Sequence, residues 1–260
     1  MKAWRTALGV AALAGAAWAV DQPQLSDAQV NEIIQKFAAK ETDFSRAREN
    51  YTYRQTARIQ ELDEFGNVRG RWEMVSDIIF SPDGGKRTER VVRAPVSTLR
   101  NLILTPEDEQ DLRNVQPFVL TTGGLPDYWI RYLGKQNADE IPCYVFAVKP
   151  KKMEQGKRYF SGIVWVDDRD LQIVKTYGRG VGVLKRGEDN KFPKFETYRE
   201  QIDGKYWFPT YTQADDVLYF KSGLDQRMRL IVRYEDYKQF KSDVQIKYGE
   251  PVEPKETKQP

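Results

Sequence analysis

Hydrophobic and polar residues alternate with a period of two along most of this chain, which predicts β-strands. The first such segment begins at Tyr51, where Tyr51, Tyr53, Ala57 and Ile59 share one face and threonine, arginine and glutamine side chains share the other. Turn-forming residues at 63–67 and 81–85 separate it from a second strand that ends at Phe80 and from a third strand over 86–93. We therefore expect an antiparallel meander with one solvent-facing side. Proline at position 95 is expected to interrupt the strands.

Two segments show helical spacing instead. Ser26 is a suitable N-cap for a helix whose apolar face carries Val30, Ile33, Ile34 and Phe37, and its end is left open between positions 40 and 45. A second helix is predicted over 105–114, because a threonine N-cap, a proline and acidic residues begin it. Residues 116–134 are interpreted as a short amphipathic turn or lid, with apolar positions at Tyr128, Trp129, Tyr132 and Leu133.

Strand patterns return in the second half of the chain, with a loop rich in glycine and charge at 178–194. Both faces are apolar over 159–166, so other elements should cover the sheet there. About ten strands in mainly sequential order predict a mainly β (α+β) fold: a strongly curved antiparallel sheet, or unclosed barrel, with an N-terminal helix and a helical lid. The strands expected in this half are 143–148, 158–166, 171–177, 195–202, 205–212, 217–221 and 227–240.

The N-terminus has the features of an export signal. Lys2 and Arg5 precede an apolar stretch, and Ala17-Trp18-Ala19 provides a small-x-small cleavage site after Ala19. The apolar stretch is shorter than the roughly 20 residues that cross a bilayer. We expect a signal peptide at 1–19, a single domain at 20–249, a disordered tail at 250–260, and a periplasmic location with peripheral membrane contact at most.

Composition excludes several classes of chemistry. The chain has no histidine and one cysteine, Cys143, so serine–histidine and cysteine–histidine catalysis and zinc sites with histidine ligands are excluded. The formal net charge of +3 falls by two when the signal is removed, which leaves no basic footprint for nucleic acid. We therefore predict that the protein is not an enzyme, and that it has no catalytic residue, metal site, cofactor or nucleic-acid partner.

Clusters of charged residues leave weaker alternatives open. The acidic run 167–170 could bind calcium, but its spacing fits no known calcium loop and a hairpin turn is expected there. Asp215-Asp216 and the acids at 107–109 could supply acid–base carboxylates, although turns and helix starts also favour acids. The arginines at 54, 58, 227, 229 and 233 could form a docking or anionic head-group surface, or simply the solvated face of a sheet.

The order of elements resembles the lipoprotein-carrier (LolA/LolB-like) family of outer-membrane lipoprotein-sorting proteins. The similarity covers roughly 26–240 and is clearest in Gly162-Ile163-Val164-Trp165-Val166-Asp167 followed by Leu171-Gln172-Ile173-Val174-Lys175. It implies an apolar cavity, between the sheet and a lid, that holds the acyl chains of a lipoprotein. The loop at 178–194 is an addition to the usual carrier, and the arginine that latches the carrier's lid has no evident counterpart.

Aromatic residues are the candidates for lining such a cavity, with plain core packing as the alternative for each of them. The expected function is non-covalent binding of lipid acyl chains or a lipoprotein, as a carrier or sensor. The alternatives are an envelope module that binds a protein partner without a ligand cavity and, less favoured, a carboxylate-dependent hydrolase. The cavity candidates are Tyr53, Trp72, Trp129, Tyr132, Phe146, Trp165, Trp207 and Phe208.

Overall fold

The computed structural model describes residues 25–80, 87–183, 193–220 and 223–239. The expected export signal (1–19), the expected tail (250–260), the turn at 81–85 and most of the expected loop at 178–194 lie outside the described residues. The domain boundaries at 20 and 249 therefore stay predictions.

Ten antiparallel strands form one sheet that does not close. The strands are β1 Tyr51–Leu62, β2 Val68–Phe80, β3 Arg87–Ser97, β4 Tyr128–Ala138, β5 Ile141–Pro150, β6 Tyr159–Asp167, β7 Ile173–Val181, β8 Phe195–Gln201, β9 Trp207–Tyr219 and β10 Asp225–Gln239. Their order is β3-β2-β1-β10-β9-β8-β7-β6-β5-β4. The last strand thus pairs with the first, and β3 and β4 are the two edges. The predicted fold class, an unclosed antiparallel β-structure, is confirmed.

Two segments differ from the prediction. Residues 128–133 are not an amphipathic turn or lid but the first half of the edge strand β4, where burial alternates from Tyr128 onward. The sequence does not show this alternation of buried and exposed positions, because both faces of the strand carry apolar side chains. Trp129 and Leu133 are exposed on the face opposite Tyr132. The separate strands expected at 205–212 and 217–221 are one strand, β9. The acidic pair between them stays in register, since the Asp215 carboxylate binds two arginines of β10.

Proline and glycine interrupt the strands less than expected. Pro95 lies inside β3, which continues to Ser97 with a shift of register beside it. An edge strand tolerates this, because its outer backbone groups need no partner in the sheet. Strand β7 likewise extends through the glycines at 178 and 180 to Val181, so the predicted loop begins later than position 178.

Helix α1, Asp27–Arg48, packs on the inner face of the sheet. It begins as predicted, with a capping box between Ser26 and Gln29, and it extends three residues beyond 45. Phe37 is fully buried, with its ring 5.3 Å from that of Phe146 on β5. Inner-face side chains from both halves of the sheet join one core cluster with α1, so the sheet curves around the helix.

A crossing segment, which we define as residues 98–127, connects the two edges of the sheet. Because β3 and β4 are consecutive in sequence but lie at opposite edges, this segment must pass over the open side. It contains α2 (Pro106–Gln110), a π-helix (Asp111–Val115) and a 3₁₀ turn (Leu125–Asp127). The helix predicted at 105–114 is therefore confirmed within about a turn. The segment buries Leu112, Val115, Phe118 and Leu120 against the core.

A buried ion pair joins α1 to the sheet. The Glu41 carboxylate lies 3.1 Å from Nη1 of Arg199 on β8, and both side chains are buried. Glu41 also accepts the backbone N–H of Ile173 at 3.0 Å, and Arg199 donates to the carbonyl of Phe118. One pair of charges therefore fixes α1, β7, β8 and the crossing segment together.

Replacing Glu41 should destabilise the protein strongly. Glu41→Ala leaves the Arg199 guanidinium buried without its counter-charge, and we expect a loss of about 3–5 kcal/mol in the free energy of unfolding. Glu32→Ala on the same helix removes only a solvent-exposed partner of Lys36 and should change little. Denaturant unfolding of both variants measures the difference; equal midpoints would contradict the role assigned to the buried pair.

Candidate functional site

The described residues enclose an apolar pocket between the crossing segment and the middle strands of the sheet. Its floor comes from the inner faces of β1, β8, β9 and β10, and its roof from the crossing segment. The lining includes Ile59, Phe195, Leu218, Phe220, Met228 and Leu230 on the sheet side, and Leu102, Ile103, Leu104, Asp108, Asp111, Leu112 and Gln116 on the crossing segment. The enclosed volume is about 80 Å³. Pockets for small ligands typically measure about 300–1,000 Å³, so the roof must move to admit one.

The strand period explains why the floor is apolar. Met228 and Leu230 point inward with alternate residues of β10, while the arginines at 227 and 229 point outward. At the mouth of the pocket, Ile103 has 82% of its surface exposed although it belongs to the lining. An exposed isoleucine at the entrance leaves an apolar contact available there.

One polar atom in the pocket lacks a partner. The side chain of Gln116 is buried, and its Oε1 accepts no hydrogen bond from any described residue. The Gln116 carbonyl, by contrast, accepts from the Thr197 hydroxyl at 2.9 Å. A buried acceptor without a partner is costly and would be stabilised by a donor on a ligand. The pocket is thus mainly apolar. Of its polar lining residues, Asp108 and Asp111 already have partners, and Gln116 offers an acceptor that could orient a ligand.

The roof is fixed at its N-terminal end by Glu61. This buried carboxylate on β1 accepts the backbone N–H groups of Arg100, Asn101 and Leu102 at 2.6–3.0 Å. The carboxylate lies directly over Gly70, where an added Cβ would be 2.6 Å from Oε2. The glycine therefore makes room for the contact that begins the crossing.

The middle of the roof is fixed by Asp111. Its carboxylate accepts from both Nε and Nη2 of Arg158, at 2.9 and 2.7 Å, in the bidentate geometry that makes arginine–carboxylate pairs strong. Gly180 lies beneath the pair, and a Cβ at that position would collide with the Asp111 carboxylate. Arg113 adds a more exposed contact to Glu89 on β3 at 3.2 Å.

The C-terminal end of the roof is fixed by the buried pair of Glu41 and Arg199, through the carbonyl of Phe118. Glu41, Glu61 and Asp111 thus hold the segment at three points, and we call them the three clamp carboxylates. Apolar contacts fill the space between these clamps.

The predicted cavity residues lie in three different surroundings. Tyr53, Trp72, Tyr132 and Phe146 belong to the inner core, and Phe208 packs with Phe44 and Tyr51 in a smaller inner cluster. Trp165 and Trp207 lie on the outer face beside Cys143, and Trp129 is 66% exposed. None of the eight is among the residues that line the apolar pocket.

The sequence did contain a signal for the residues that hold the site. Glu61 is in phase with Ala57 and Ile59, so it belongs to the buried face of β1 despite its charge. Arg199 is likewise in phase with Phe195 and Thr197 on β8. A charge in phase with an apolar face indicates a buried polar contact, because such a charge is rarely buried without a partner.

Three features of the described residues concern a reactive thiol, a metal site and a membrane-spanning helix. Burial raises the pKa of the Cys143 thiol to about 11, which leaves it protonated at neutral pH. Among the described residues, the cysteine and the acidic side chains form no cluster of three that could hold a metal ion. In the same part of the chain, no helix combines the length and apolar character needed to cross a membrane.

Comparison with known proteins finds similar structures but no similar sequence. The sequence matches no protein-family model and no curated protein. A DUF1329 family protein from Desulfovibrio piger shares 13% identity over 82% of this chain and 92% of its own, with a TM-score of 0.38. An outer membrane lipoprotein-sorting protein domain from Vibrio parahaemolyticus shares 11% over 79% and 93%, with a TM-score of 0.35. MucB shares 12% over 80% and 94%, with a TM-score of 0.28. An outer membrane lipoprotein-sorting protein domain is thus among the neighbours in structure.

Loss of the central clamp should loosen the roof. Asp111→Asn removes the carboxylate charge that the buried Arg158 guanidinium binds in bidentate fashion, so we expect faster amide hydrogen exchange over 105–116 than in the wild type. Asp168→Asn removes a more exposed contact, 2.8 Å from Lys135, and should leave exchange at 105–116 unchanged. Exchange measured by mass spectrometry tests this. A uniform rise across the sheet in the Asp111 variant would show that the pair stabilises the whole fold rather than the roof.

Proposed function

We propose that this protein is an exported envelope protein that binds an apolar group without covalent chemistry, in the pocket beneath the crossing segment. The ligand class is a lipid acyl chain, free or attached to a lipoprotein. The observation that carries this proposal is the apolar pocket itself, whose roof rests on the sheet through a few polar clamps. The export signal predicted at 1–19 supports a location in the periplasm.

Opening the roof would enlarge the pocket without unfolding the sheet. The floor strands β1, β8, β9 and β10 are each paired on both sides, whereas the crossing segment contains no strand. Its Thr98 N–H donates to the carbonyl of Arg71 on β2 at 2.8 Å. In the closed pocket, Leu102, Leu104 and Leu112 of the roof contact the floor. An alkyl chain inserted between roof and floor would contact both, so the apolar side chains would remain buried. The Oε1 of Gln116 would accept a hydrogen bond from a donor on the ligand.

A second candidate function, an envelope module that binds another protein, rests on the free edges of the sheet. Strand β3 buries none of its side chains, and Val91, Val92 and Val96 are exposed along it. An edge strand with exposed apolar residues can pair with a strand of another chain. A pull-down from the envelope that recovers one protein in stoichiometric amount and no lipid would favour this second function.

A substitution at Ile103, at the mouth of the pocket, tests the proposal that the pocket binds an apolar ligand. Ile103→Asp should weaken binding of the neutral apolar dye Nile red about tenfold, because burying an isoleucine contributes about 1.5–3 kcal/mol and 1.4 kcal/mol corresponds to tenfold. Phe65→Asp is the matched control, since Phe65 is 80% exposed in the turn between β1 and β2 and does not line the pocket. Dye fluorescence gives both affinities.

Lipid analysis of the protein purified from its own envelope completes the test. Bound acyl chains should be found on the wild type and on Phe65→Asp, and be depleted on Ile103→Asp. Equal dye affinity and equal lipid content in the two variants would overturn the pocket proposal.

A further inference from the structure

A second recess lies at the other end of β1, β9 and β10, three of the four strands that form the floor of the apolar pocket. It is formed by the C-terminal turn of α1 with the start of β1, the start of β9 and the end of β10, and its lining includes Phe44, Tyr51, Tyr53, Phe208 and Tyr237. Phe208 and the pocket residue Leu218 are ten positions apart on β9, or about 30 Å along a strand. We call it the Arg48 recess, after the one cation of its lining.

Arg48 is half-buried in this recess and has no carboxylate partner among the described residues. Its guanidinium lies 6.0 Å from the centre of the Phe44 ring. Withdrawal from water lowers the pKa of Arg48, but an arginine remains protonated in proteins. The recess therefore contains a positive charge that is partly desolvated and lacks a counter-charge.

The neighbouring charges do not supply one. The guanidinium of Arg199 lies 5.1 Å from the centre of the same Phe44 ring, and its charge is balanced by Glu41. Glu41 is already bonded to Arg199 and to the N–H of Ile173, so two guanidinium groups share one carboxylate charge. Repulsion from Arg199 also contributes to the lowered pKa of Arg48. The cluster retains one net positive charge in a setting of low dielectric.

The tyrosines of the recess cannot balance that charge either. Burial raises the pKa of Tyr237 well above its ordinary value, so its hydroxyl stays neutral and donates to the carbonyl of Pro209 at 2.6 Å. The Tyr51 hydroxyl donates to Asp203, whose carboxylate also accepts the N–H groups of Lys205 and Tyr206. The Asp203 carboxylate is therefore bonded within its own turn and to Tyr51, and it is not a partner of Arg48. The Tyr53 hydroxyl has no hydrogen-bond partner among the described residues and remains a donor for a ligand.

We propose that the Arg48 recess binds the oxyanion of an amphiphile, a carboxylate or a phosphate, whose apolar part lies against the surrounding aromatic rings. The guanidinium fork matches the geometry of both oxyanions. The cavity is about 20 Å³, room for one water-sized group, so one oxygen of the oxyanion enters and the rest of the ligand stays at the mouth. This site is separate from the apolar pocket and does not depend on it.

Dodecyl phosphate, dodecanol and inorganic phosphate are the probes, and binding of each is measured by calorimetry. Dodecyl phosphate is kept below its critical micelle concentration and dodecanol below its solubility limit. The wild type should bind dodecyl phosphate at least tenfold more tightly than dodecanol or inorganic phosphate. Arg48→Met should abolish the preference for dodecyl phosphate over dodecanol, and Arg48→Lys should restore part of it. Arg46→Met is the control, since Arg46 is an exposed base in the same last turn of α1 and serves the helix dipole equally.

Several results would overturn this inference. If Arg48→Met still prefers dodecyl phosphate over dodecanol, Arg48 does not bind the oxyanion. If Arg46→Met loses this preference, the preference arises from the positive charge at the end of α1 and not from the recess. Inorganic phosphate binding as tightly as dodecyl phosphate would show that the rings contribute nothing. Thermal unfolding of Arg48→Met should be no lower than that of the wild type, because an unbalanced buried charge is removed. Ile103→Asp should leave the preference unchanged, so failure of the apolar pocket and failure of this recess are distinguishable.

Discussion

The passage of residues 98–127 over the open side of the sheet depends on three carboxylates that are withdrawn from water. Glu61, Asp111 and Glu41 each lose hydration, which costs several kcal/mol per ion unless hydrogen bonds and opposite charges replace it. Backbone N–H groups replace it at Glu61, and arginines replace it at Asp111 and Glu41. The segment joins the two edge strands of the sheet and contains no strand itself, so strand pairing does not hold it in place. These contacts therefore position the roof, and the roof defines the pocket.

Polar clamps and apolar roof contacts respond differently to a ligand. The roof side chains touch the floor without directional bonds, so an alkyl chain can substitute for them. The clamps are directional and lie at the ends and the middle of the segment, where they preserve its path when the space between them widens. Gly70 and Gly180 belong to the same arrangement, because each leaves room for a clamp carboxylate where a Cβ would obstruct it.

The fold could be predicted from the sequence because its main signal, the alternation of strands, is local. The count of ten strands is correct although β4 was missed and β9 was divided, so two local errors compensated. The apolar pocket could not be predicted in the same way. The search for a cavity followed the aromatic residues. Of these, Tyr53 and Phe208 line the Arg48 recess and Trp165 lies on the outer face, but none lines the apolar pocket. The pocket lining is aliphatic and is assembled by a crossing that only the topology dictates. Charges in phase with apolar faces, such as Glu61 and Arg199, were the overlooked local signal.

The apolar pocket and the Arg48 recess share the same strands, yet the interior between them is closed. Ala57 and Val232 are buried in the middle of β1 and β10, so no channel follows these strands. The hydroxyls of Thr197, Thr212 and Tyr234 form a buried chain across the same region, with contacts of 2.8 and 3.3 Å. An alkyl chain passing through would separate these hydroxyls from one another, and each buried hydroxyl left without a partner costs about 1–3 kcal/mol. A ligand at one end therefore has no apolar route to the other. The sheet accordingly presents two independent surfaces, an apolar one beneath the crossing segment and a cationic one at the end of α1.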